Sequence, residues 1–259
     1  MDDTIQLLQT MLNLPLLALL LARVSGLVAF APFFGSAAIP VSARAFLAFF
    51  ITVVILPVTS NFVTPPGDLG GLVIAMAGEL MIGLLFGLMI STVFSGLELA
   101  GLLLGQQMGI SLAQVFDPLF EEEASVLGQL YFWLTMMIFL LLRGHLIVLT
   151  ALIKSFQTLP PGKLVVDQNV LDGIAGVLQL TFILGLQVSA PIIVAIFLAT
   201  LALGFIGRTM PQLNILSVGF NLRVIFGFLL ILVFLIPAEQ AFVRVLDQAF
   251  WLLYRLLGF

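Results

Sequence analysis

The chain has no cysteine, a single histidine and very little charge. Without cysteine there are no disulfides, thiolate metal sites or cysteine nucleophiles. A glycine-rich phosphate loop of the form G-x-x-x-x-G-K-[ST] is missing, which argues against nucleotide hydrolysis. H-E-x-x-H and G-x-S-x-G are also missing, and with them the obvious intramembrane protease constellations. No cluster of His, Asp and Glu has metal-ligand spacing, so no cofactor or metal is expected and the chain reads as a non-enzyme. A net charge of −4 with no basic cluster argues against nucleic acid as a partner.

Hydrocarbon dominates what is there. Of 259 residues 62% are hydrophobic and 8% charged, with a mean hydropathy of +1.27; water-soluble domains carry roughly 25% charged residues. This is the composition of an integral membrane protein. Asp2 and Asp3 stand where a signal peptide would carry positive charge, so an uncleaved N-terminus is expected.

A span needs about 20 apolar residues. Thr4 to Phe34 supplies one, interrupted by Arg23; Ala37 to Val58 supplies a second, with Arg44 near its start. Thr59 to Asp68, with Pro65-Pro66-Gly67, reads as a loop. Leu69 to Leu97 is the third run, containing Glu79, and Glu98 to Phe116 continues it in helical register. Ala124 to Ile153, crossed by Arg143 and His145, reads as the fourth. After the polar connection Lys154 to Asp172, Gly173 to Gly207 runs without a charge. At 1.5 Å per residue it would reach about 50 Å, so it must tilt, break near Pro191 or leave the lipid. Arg208 to Arg223 reads as a polar loop, and Val224 to Pro237 leads into an amphipathic tail bearing Glu239, Arg244, Asp247 and Arg255. The expected fold is all-α: about six long, tilted or kinked hydrophobic helices, mostly in hairpins. Lys and Arg fall on both sides of a six-span arrangement, as expected if some apolar helices face other subunits and not lipid.

The most informative segment runs from Gly101 to Ser111, G-L-L-L-G-Q-Q-M-G-I-S. Gly101, Gly105 and Gly109 recur every fourth residue, a bare helical stripe against which another backbone can pack. The segment then turns polar at Gln106, Gln107, Ser111 and Gln114 and meets Asp117-Pro118 and Glu121-Glu122-Glu123. A helix that packs closely, turns polar and breaks within an apolar protein suits the lining of a passage. Met108 is soft enough to help seal one. Phe116 and Phe120 offer bulk to block it, and Ile110 lies in the same segment.

Arg23, Arg44, Glu79 and Glu98 lie within apolar runs, where an isolated charge costs several kcal/mol, so each needs a partner or water. They can cancel as intramolecular pairs that fix helix register, or form a polar pathway or an intersubunit lock. His145 is either an interfacial side chain or a proton relay.

Three segments carry a family resemblance. The first is Gly105 to Pro118. The second runs from Gly128-Gln129-Leu130 through Arg143-Gly144-His145-Leu146 to Ser155-Phe156-Gln157-Thr158-Leu159-Pro160. The third is Leu201 to Gly204, then Arg208-Thr209-Met210-Pro211-Gln212-Leu213-Asn214 and Val218-Gly219-Phe220. In order and spacing, over nearly the whole chain, these resemble the FliR/SctT family of type III export-gate proteins. One departure is Asn221, where the family usually has proline. The resemblance implies a subunit of the flagellar protein export gate in the bacterial inner membrane and the flagellar basal body. It also implies FliP-like, FliQ-like and FlhB-like partner subunits and unfolded flagellar proteins as cargo. Residues 1–172 would be the part similar to the FliP-like subunit, with a plug-like loop over 105–123. Residues 173–259 would be similar to the FliQ-like hairpin plus a tail, with Arg208, Pro211, Gln212, Asn214, Gly219 and Phe220 at the hairpin tip. The homologous subunit of a virulence injectisome, a secondary transporter for a small solute and a scaffold outside the pore are the competing readings.

Overall fold

A computed structural model of the chain describes residues 14–34, 39–59, 66–110, 125–159, 168–209 and 215–256. Among these the regular structure is helical. In chain order the helices are α1 Leu14–Phe30, α2 Val41–Thr59, α3 Leu69–Met108, α4 Val126–Leu141, α5 Gly144–Thr158, α6 Gln168–Thr209, α7 Ile215–Val233 and α8 Leu235–Leu256. Local chemistry sets two starts. Asp68 Oδ2 accepts the Gly71 N–H at 2.8 Å and opens α3, while Ser125 Oγ accepts the Gly128 N–H at 3.1 Å and opens α4.

Three helices are long and apolar enough to cross a membrane, and up to five spans arise if α4–α5 and α7–α8 each count as one broken span. α3 has 40 residues and α6 has 42. At 1.5 Å per residue these reach about 60 Å, roughly twice the hydrocarbon thickness.

The described helices depart from the expected runs in three places. Ala124 to Ile153 is not one helix: the chain breaks at Leu142-Arg143, where Arg143 adopts φ 55. Gly144 follows, so close to Phe139 that a Cβ there would fall 2.3 Å from the ring. Pro191 does not end α6; one lost backbone hydrogen bond is tolerated in a long apolar helix that neighbours can support. Arg208 to Arg223 is not all loop, since Arg208 closes the last turn of α6 and α7 begins at Ile215. Gly219 and Asn221 cost that helix only about 1 kcal/mol or less each, too little to break it.

The chain forms two compact units: residues 1–92, 139–177 and 249–259, and residues 93–138 and 178–248. Each draws on both 1–172 and 173–259; the units describe packing, whereas that division rests on resemblance. In the first unit α1 packs on α2 and on the N-terminal half of α3. Gly26, Gly83 and Gly87 line the α1–α3 contact, and a Cβ on Gly83 would lie 2.0 Å from the Arg23 carbonyl oxygen. In the second unit the C-terminal half of α3 is the hub. Gly96 and Gly185 let α3 and α6 touch backbone to backbone, and Phe94 meets the rings of Phe132 on α4 and Phe242 on α8 at 6.0 and 5.7 Å.

Candidate gate site

α3 carries the glycine-striped segment to its end. Gly101 and Gly105 are both buried. A Cβ on Gly101 would fall 2.4 Å from the Leu127 carbonyl oxygen and 2.7 Å from Gly128 Cα, so α4 begins in direct backbone contact with α3. Gly109 has a second task. With φ 83 it ends the helix, its N–H donating to the Gln106 carbonyl at 3.1 Å while the Ile110 N–H donates to the Gly105 carbonyl at 3.0 Å. That pair of bonds is a Schellman cap. It stops α3 where the sequence turns polar.

The cap divides its residues by direction. Gln106 is exposed, and Gln107 and Ile110 are half-buried. Met108 is fully enclosed, its Sδ and Cε lying 2.7 Å from where a Cβ would stand on Gly227 of α7. In this chain the Met108 thioether, enclosed against a neighbouring helix, anchors the end of α3. Ser111, Gln114, Phe116, Asp117 and Phe120 lie outside the described residues, as do Glu121 to Glu123. So do Pro211, Gln212 and Asn214; of the other tip residues, Arg208 and Phe220 are exposed and Gly219 is buried.

The four charges separate into two kinds. Arg23 and Glu79 are fully buried and paired, Nε to Oε2 at 2.5 Å. Arg23 also donates from Nη1 to Ser155 Oγ at 2.8 Å and from Nη2 to the Leu159 carbonyl at 3.0 Å, and its guanidinium lies 4.0 Å from the Phe156 ring centroid. One side chain thus ties α1 to α3 and to α5. Arg44 is half-buried, its Nε donating to the Ile39 carbonyl at 3.1 Å. Glu98 is exposed, and in this chain it is not a buried charge: its Cγ lies 3.5 Å from where a Cβ would stand on Gly128, at the edge of the α3–α4 contact, which hydropathy alone does not reveal. His145 stacks on Phe33 at 6.2 Å.

The sequence reading missed two glycine contacts, Gly26/Gly83/Gly87 and Gly96/Gly185. The first had a signal in Gly83-Leu84-Leu85-Phe86-Gly87, a small-xxx-small spacing. The second had none, because its two halves lie on separate helices.

Residues 14–249 match the family model described as bacterial export proteins, family 1. The chain belongs to this family. It is 30% identical over 225 residues to the flagellar biosynthetic protein FliR of Bacillus subtilis, covering 85% of each chain. It is 33% identical over 229 residues to that of Pectobacterium carotovorum, covering 87% of each. It is also 32% identical over 159 residues to the secretion system apparatus protein SsaT of Salmonella typhimurium, covering 61% of each. Family membership and the long apolar helices together make this a membrane protein of a bacterial export apparatus.

Proposed function

We propose that this chain is the FliR-type subunit of a flagellar type III export gate, and that residues 105–123 contribute its constriction. The observation that carries the reading is the end of α3. A long apolar helix is held by close backbone contact at Gly101, anchored by Met108 and stopped by the cap at Gly109, just before an uncharged polar stretch. A base held by close glycine and thioether contact, which allows small sliding, suits a gate whose constriction must move. Gln106, Gln107, Ser111 and Gln114 offer uncharged contacts that hold an unfolded chain only weakly, and Ile110, Phe116 and Phe120 supply the block. Conduction through such a site is gating and not catalysis, and the energy comes from another component.

FliP-like, FliQ-like and FlhB-like proteins are the partners in this reading, within the inner membrane at the flagellar basal body. Residues 1–172 stand in for a FliP-like element and 173–259 for a FliQ-like one. Overlong α3 and α6 suit helices that extend beyond lipid into an assembly, and their exposed apolar side chains, such as Phe182, Phe197 and Phe205, suit faces covered by neighbours.

The test is deletion of Ile110 to Phe116. The expected result is an assembly recovered at normal yield that leaks ions or small solutes. A deletion complex that assembles and stays sealed removes the constriction from this segment. A role in an injectisome is the second reading, favoured by the identity with SsaT; export of flagellin-type cargo, or its absence, in a strain carrying this chain separates the two.

A further inference from the structure

Within the second unit, α6 and α8 enclose a cavity of about 140 Å³. Its apolar floor includes Val188 and Ala238, and Gln187, Pro191, Gln240 and Arg244 stand around it. Pro191 has no N–H, so the Gln187 carbonyl lacks its usual helical donor four residues on. Gln187 and Gln240 are exposed and add side-chain amides at the rim. Arg244 is exposed as well and lines the cavity; its Nε donates to the Gln240 carbonyl at 3.2 Å. Among the described residues no carboxylate pairs with it.

The outward surface changes character at this cavity. Before the 55° bend between α7 and α8, the exposed side chains are Leu229, Leu232 and Val233. Just after it Ile236 is still exposed and apolar; from Gln240 to Gln248 the exposed side chains are Gln240, Arg244, Asp247 and Gln248, and Trp251 follows. A face that passes from apolar to polar within a few residues marks a membrane–water boundary. A cationic group beside a carbonyl that Pro191 deprives of its usual helical donor matches a molecule carrying both phosphate and a primary ammonium.

We infer that this cavity binds the headgroup of phosphatidylethanolamine, with its phosphate on Arg244 and its ammonium on the Gln187 carbonyl and the glutamine amide oxygens. The volume, about 140 Å³, is far above what a single water needs and leaves room for a small polar headgroup. The acyl chains then run along the exposed apolar side of α7. A lipid so placed would wedge α6 and α8 at the bend and set its angle. This goes beyond the gate reading and does not depend on it.

The test uses the full chain, purified in mild detergent with whatever subunits accompany it, and measures bound lipid by mass spectrometry. Phosphatidylethanolamine is expected to be retained, to fall roughly tenfold in Arg244→Gln, and to stay unchanged in Arg255→Gln, whose side chain lies over Trp251 at 3.8 Å. Excess inorganic phosphate is expected not to release it, which separates a lipid from a free anion. In the unmodified chain, phosphatidylethanolamine with a photoreactive group near its headgroup is expected to label residues 187–191 and 237–244. Equal retention in Arg244→Gln, release by phosphate, or labelling confined to other segments overturns the inference.

Discussion

In the first unit α3 meets α1 and α5 through a buried guanidinium that has four partners, among them Glu79 and the Phe156 ring. In the second unit the same helix meets α4 and α6 through glycines, and α7 through the Met108 thioether. Ionic pairing in a low-dielectric interior is directional and costly to break, so it fixes helix register. Glycine and thioether contacts are close but unspecific in direction, and they allow small sliding. One helix therefore carries a rigid end and a tolerant end, and the polar gate segment follows the tolerant one.

Three damaging substitutions, two of them paired with a control variant, sharpen or break this contrast. Glu79→Ala should have the largest effect: it strands Arg23 in the interior and should destabilise the chain by about 3–5 kcal/mol. Thermal unfolding in detergent would read this as a large loss of Tm. The double change Arg23→Met with Glu79→Met should restore most of that stability; if both variants are equally damaged, the pair is not what holds α1 to α3. Gly101→Leu comes next. Its Cβ alone would fall 2.4 Å from a backbone oxygen, so α3 and α4 must separate, at a cost of about 1–3 kcal/mol. Gly204→Ala, with nothing within 4 Å, should instead be neutral or slightly stabilising. Equal losses at the two sites would remove the packing argument. Of the damaging changes Gly109→Ala should have the smallest effect, about 1–2 kcal/mol for a left-handed residue other than glycine. Its signature is fraying of the last turn of α3, visible as faster hydrogen exchange near Gln106 and Gln107. Unchanged exchange there would mean that the cap does not set the end of α3.

The sequence reveals the apolar helices, the need of Arg23 and Glu79 for partners, and the close approach at Gly101, because each follows from chemistry confined to a few residues. It hides which way a helix faces. In an apolar helix like α3 nearly every face is greasy, so burial has no periodic trace, and Glu98 cannot be told from Glu79 by its neighbours. The break at Arg143 is hidden for a related reason: the turn rests on Gly144 meeting Phe139, a contact rather than a motif. Met108 reads as a seal in isolation and as an anchor once Gly227 is beside it. Family resemblance reaches the polar segment beyond Gly109 but not its geometry.

The most direct test places a photocrosslinker singly at Gln106, Gln107, Ile110, Ser111 and Gln114, and at the exposed Leu80 and Leu88 on the first-unit half of α3, in cells where an export substrate has been stalled in transit. The account predicts substrate adducts from the five gate positions and none from Leu80 or Leu88. Adducts that are absent from 106–114 while stalled substrate is present would contradict it.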